Sequence, residues 1–141
     1  MYSSILLPID TGHPSSWEKA GPVAVRIAQE EGAKIHVMTV IPDFGMSVVG
    51  SFFPSNFADD ALKAAEGELE RIAAEIVPQE LLAGTCAVSG TIYKRILVKA
   101  EDYGSDLIVL ASHRPEKADY LLGPNAARVV RHANCSVFVV R

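Results

Sequence analysis

The stretch from Ser112 to Gly123 is where this sequence gathers residues able to hold an anion. It collects several polar groups and runs into Gly123-Pro124, where the proline suits the first position of a helix. A helix start offers unpaired backbone N–H groups and a positive dipole end, so a phosphate suits this place. A solvated loop with an ordinary cap explains the same residues equally well. Asp10, at the end of an apolar run, projects a carboxylate either toward a ligand crevice or into an Asx turn of its own loop. It is also the one identifiable general base at that crevice, and a lone carboxylate is thin support for catalysis.

Other chemistry fails on spacing. Gly45 and Gly50 stand at Walker-like separation, but Ser51 occupies the place of the phosphate-reaching lysine. Ser112 and His113 are neighbours whose side chains point apart on an extended segment, and no G-x-S-x-G, H-E-x-x-H or EF-hand pattern occurs. His36 lies inside a strand-like run, and Arg131 and His132 complement a helix C-terminus, which makes them structural. Asp59, Asp60, Glu66, Glu68 and Glu70 read as a solvated helix face. Cys86 and Cys135 lack CxxC or Cys/His spacing and read as small buried residues of two strands.

These residues need elements to place them. Ile5–Ile9 is a short apolar run ending at Asp10-Thr11-Gly12, the pattern of a strand buried on both faces. Ser15 and Glu18 are spaced as a capping box before a helix with Trp17, Ala20, Ala24, Ile27 and Ala28 on one side, kinked at Pro22 and stopped by Gly32. Ile35–Ile41, closed by Pro42, reads as a second strand. Residues 42–56, with glycines, prolines and Phe52-Phe53, form a long loop expected to be a mobile lid or a packing surface. Phe57–Val77 carries apolar residues at three- and four-residue intervals and predicts a helix. Thr85–Val88 predicts a strand, Ile92–Ala100 a helix closed by Gly104, and Asp106–Ala111 a strand. After Pro124, Ala126, Val129 and Val130 face inward on a last helix, and Ser136–Val140 is a last strand. Strands alternating with helices imply an α/β fold: an open five-stranded parallel sheet with helices on both faces. In such a sheet the ligand sits beyond the carboxyl ends of the strands, which makes the loops at Asp10–Pro14, Pro42–Asn56, Ser89–Thr91 and Ser112–Gly123 the candidates.

Composition narrows the function classes. The length suits a single domain over residues 1–141, with 49% hydrophobic and 21% charged residues, the balance of a globular chain. No apolar run approaches the roughly 18–20 residues that span a bilayer, and no targeting pattern opens the sequence, so a cytoplasmic protein without a membrane partner is expected. A net charge of −4 gives no electrostatic reason for nucleic-acid binding.

Three segments together resemble the universal stress protein family. They are Ile5-Leu6-Leu7-Pro8-Ile9-Asp10, then Ser105–His113, then the run from Leu121-Leu122-Gly123-Pro124 through Val140. The resemblance covers essentially the whole chain and implies strand order 3-2-1-4-5 and a homodimer paired through the terminal strand. In one class of the family it also implies adenine nucleotide binding, ATP or AMP, with Mg an open companion. That class carries Gly, two residues, Gly, nine residues, then Gly-Ser or Gly-Thr. Here Ala111 and Arg114 replace the first two glycines, eight residues separate Arg114 from Gly123, and Pro124 replaces the hydroxyl residue. The Ser112-His113-Arg114-Pro115 stretch followed by Tyr120-Leu121-Leu122-Gly123 resembles a branch that binds adenine nucleotides with an altered loop.

Carried over position by position, the resemblance sets Pro8, Ile9 and Asp10 beside adenine and ribose, with Val40 and Leu110 as apolar walls. Ala111, Arg114, Gly123, Asn125 and Ala126 would line the ribose-phosphate side. Arg114 could replace the lost glycine-loop donors with a bidentate guanidinium or point to solvent. Two functions follow: a nucleotide-binding regulatory module of the stress response, or a nucleotide-free interaction protein working through its dimer surface and the 42–56 loop.

Overall fold

In a computed structural model the chain forms one five-stranded parallel sheet, and the structure describes residues 1–42, 57–112 and 123–141. The strands are β1 (Ser4–Pro8), β2 (Lys34–Pro42), β3 (Leu82–Gly90), β4 (Leu107–Ala111) and β5 (Ser136–Val140). The helices are α1 (Ala20–Glu31), α2 (Phe57–Ile76), α3 (Ile92–Asp102) and α4 (Gly123–His132). Strand order is β3-β2-β1-β4-β5, as expected. The central strand β1 pairs with β2 from Ser4↔Lys34 to Pro8↔Met38 and with β4 at Ile5↔Leu107 and Leu6↔Ile108.

Alternation along the strands divides the core in two. Ile5, Leu7, Ile9, Ile35, Val37 and Val109 face α1 and α2, while Leu6, Met38, Val40, Ile108 and Leu110 face α3 and α4. Burying one such side chain contributes about 1.5–3 kcal/mol, which is why β1 and β4 read as unbroken apolar runs. On α1 the small residues Ala20, Ala24 and Ala28 face the sheet, and on α2 Leu69, Ile72 and Ala73 do so. Gly32 ends α1 in the left-handed conformation at φ 71°, donating its N–H to the Ala28 carbonyl.

Several expectations are corrected. The Ser15/Glu18 capping box does not form: residues Pro14–Ser16 make a 3-10 turn, α1 begins at Ala20, and its N-cap Lys19 makes no side-chain cap bond. Pro22 therefore lies in the first turn, where N–H groups need no intrahelical partner, and gives no reason for a kink. Val130 does not face inward; it is 51% exposed beside the buried Val129. Cys135 precedes β5 instead of lying in it, and both cysteines are half-buried. The expected strand at Thr85–Val88 is the middle of the longer β3. The expected 42–56 lid falls, beyond Pro42, outside the described residues.

The start of β1 is tied to β4 through Asp106. Its carboxylate accepts the Ser3 N–H at 2.9 Å, the Ser4 N–H at 3.0 Å and the Ser3 hydroxyl at 3.0 Å. Burial alone would push this carboxyl up, but the donors from Ser4 and Ser3 outweigh it and hold the group below its ordinary value.

Candidate functional site

Connections from β1 run toward β2 on one side, while β4 lies on the other, so strand order reverses between β1 and β4, the position at which an open parallel sheet holds a ligand beyond the carboxyl ends of its strands. Pro8, Ile9 and Asp10 close β1 there, Val40 approaches the end of β2, and Leu110 and Ala111 end β4. Val40, Leu110 and Ala126 belong to the core cluster beneath α3 and α4, whereas Ile9 and Ala111 turn to the α1 side. Of the expected site, Val40, Leu110 and Ala126 thus share one face. Arg114 lies outside the described residues.

Asp10 is only 8% exposed and is occupied by its own loop. Its Oδ1 accepts the Gly12 N–H at 3.0 Å, its Oδ2 lies 2.9 Å from His13 Nδ1, and its N–H donates to Ser16 Oγ at 2.8 Å. The Asx turn expected of Asp10 is present. Asn125 also has an internal duty: its Oδ1 accepts the Tyr93 N–H at 3.2 Å. Thr91, the N-cap of α3, makes no side-chain cap bond, so an amide from α4 satisfies that helix start instead. No spacing rule could reveal this, because the two residues are 32 apart in sequence and meet only in the fold.

The α3 and α4 N-termini therefore meet at the crevice pole. Neither has an acid in its first turn, in contrast to α2 with Asp59 and Asp60. Arg128 lies 5.3 Å from the Tyr93 ring centroid. Arg95 packs against Gly90 at the end of β3, where an added Cβ would stand 2.6 Å from its Nε. Gly90 also has φ +136°, a conformation that L side chains rarely adopt, and this requirement is invisible in a Gly-Thr dipeptide. The two helix starts favour an anion beside them. Gly123 opens α4 and Pro124 follows it, one position later in the helix than expected, so the first turn lacks one N–H donor. Among the described residues no group of three or more His, Cys, Asp or Glu could hold a metal ion.

The sequence profile of the universal stress protein family matches residues 1–141. The chain belongs to that family. Universal stress protein G of Shigella flexneri is 29% identical over 143 residues, covering 100% of both chains. Among solved structures, the universal stress protein UspA from Lactobacillus plantarum superposes with a TM-score of 0.74 at 24% identity, covering 99% of this chain and 98% of that one. A universal stress protein in complex with cAMP gives 0.60 at 21% identity, covering 99% and 97%. One from Archaeoglobus fulgidus in complex with dAMP gives 0.58 at 18%, covering 99% and 98%. At these identities the structural likeness establishes the universal stress protein fold. No helix among the described residues is long and apolar enough to cross a membrane.

Proposed function

We propose that this universal stress protein binds an adenine nucleotide, ATP or AMP, in the crevice between β1 and β4. In this reading it acts as a cytoplasmic regulatory module of the stress response, as a homodimer joined through β5. The observation that carries the reading is the start of α4 beside an apolar wall: Val40 and Leu110 suit a base, and an acid-free first turn beginning at Gly123 suits phosphate. The neighbours solved with cAMP and dAMP support the same ligand class. No step of catalysis is needed.

A second reading, a nucleotide-free interaction protein, is favoured by the internal use of Asp10 and Asn125 and by Pro124 in the α4 first turn. Mass spectrometry of protein purified gently and then denatured separates the two. A co-purifying adenine nucleotide is the expected result. Its absence, together with no heat of binding for ATP or AMP by calorimetry, gives the second reading.

A further inference from the structure

At the opposite pole of the sheet, between the ends of α3 and α4, lies a cavity of about 220 Å3. Leu97 and Ala100 of α3, Ile108 of β4 and Ala133 give it an apolar lining. An apolar cavity of about 150 Å3 takes one benzene ring, and drug-sized ligands need roughly 300–1,000 Å3, so this one suits a single small ring or a short branched chain.

Its polar lining selects charge. Glu101 contributes a carboxylate whose Oε1 accepts the Asn134 Nδ2 donor at 3.3 Å, and no Lys or Arg among the described residues lines the cavity. Two helix C-termini bring their negative dipole ends to the same place: α3 at Asp102, and α4 at His132, whose last turn also carries Arg131. Lys99, the basic residue of the last turn of α3, is turned away over the Tyr103 ring at 5.7 Å and toward Asp102 at 3.6 Å. His132 lines the wall with its ring stacked 6.1 Å from that of Tyr93. Ser105 adds a hydroxyl at the lining whose oxygen is buried without a hydrogen-bond partner among the described residues.

We propose that this cavity is a second ligand site, separate from the crevice, for a small organic ammonium: a compact apolar body carrying one cationic N–H donor group. The apolar body fills the Leu97–Ile108 side, and the ammonium donates to Glu101.

The test is an NMR titration of the full chain at pH 8 with benzylamine, benzyl alcohol and benzoate, which share a ring and differ in charge. Benzylamine should produce saturable shifts in the methyl groups of Leu97, Ala100, Ile108 and Ala133, and bind about tenfold or more tighter than benzyl alcohol, with benzoate weakest. Glu101→Gln should bring benzylamine to the level of benzyl alcohol, and Ala100→Leu, which fills the space, should remove binding of all three. Should Ala100→Leu unfold, Ala133→Leu serves the same purpose. Benzoate binding as well as benzylamine, an unchanged affinity in Glu101→Gln, or no shift up to about 10 mM benzylamine would overturn the proposal.

Discussion

Restoring a hydroxyl at position 124 is the smallest change that strengthens an anion site at the start of α4. Pro124→Ser returns one backbone N–H and adds a side-chain donor. Since a hydrogen bond to a charged group contributes roughly 1.5–3 kcal/mol, ATP binding is expected to tighten by up to about ten- to a hundredfold. Gly123→Val should weaken it by crowding the phosphates. Calorimetry on the three proteins checks this, and equal affinities would place the phosphates elsewhere. A different prediction rests on His36, whose ring stacks on Tyr103 at 4.0 Å and 6° with Nδ1 buried and unpartnered among the described residues. Burial pushes its pKa below the ordinary value, so the folded protein keeps it neutral while the unfolded chain protonates first. The stability this provides is complete above the usual imidazole range near pH 6.5 and is lost as pH falls through the depressed folded value. Urea midpoints from pH 8 down to pH 5 should fall more steeply in wild type than in His36→Gln; parallel curves would show that His36 contributes nothing to the pH dependence. The neighbouring Tyr103 hydroxyl is pushed up to about 12, by burial first and then by its hydrogen bond with Cys86, and stays protonated throughout that range.

Asn125 shows why the site was less legible than the elements around it. The resemblance sets it on the phosphate side, and its Oδ1 also caps α3, so Asn125→Ala is expected to cost about 1 kcal/mol of stability, read from denaturant unfolding. Amide exchange at Tyr93 should quicken in the same variant, and unchanged exchange would mean the cap is dispensable. Most element positions could be read from the sequence, because apolar runs such as Ile5–Ile9 and Leu107–Ala111 report burial on both faces directly, whereas the strand order followed only from the family resemblance. The start of α1 could not. Ser15 and Glu18 have capping-box spacing, but the Asp10 loop engages the adjacent Ser16 and folds the chain into a 3-10 turn first. Val130 differs too: α4 buries Ala126 and Val129 against the sheet and leaves Val130 exposed.

Across the whole molecule, β5 is an edge strand with Phe138 46% exposed and Val137 and Val139 half-buried. An apolar edge of this kind invites another chain, and pairing with a symmetry mate closes it. Sedimentation at micromolar concentration should give twice 15.2 kDa, and Val139→Lys should give the monomer. A wild-type monomer would remove β5 from the account of assembly.

The placement of β1 at the centre of the sheet has a consequence for how the protein is made. Its first partner, β2, follows closely in the chain, but the Ser3–Asp106 contact that fastens β1 to its other neighbour spans 103 residues. At about 5–20 residues per second a ribosome needs about 5–20 s to supply the second side. Throughout that interval Ile5, Leu6 and Leu7 have one unpaired edge, so nascent chains that stall before residue 106 should be the forms that most need a holding chaperone.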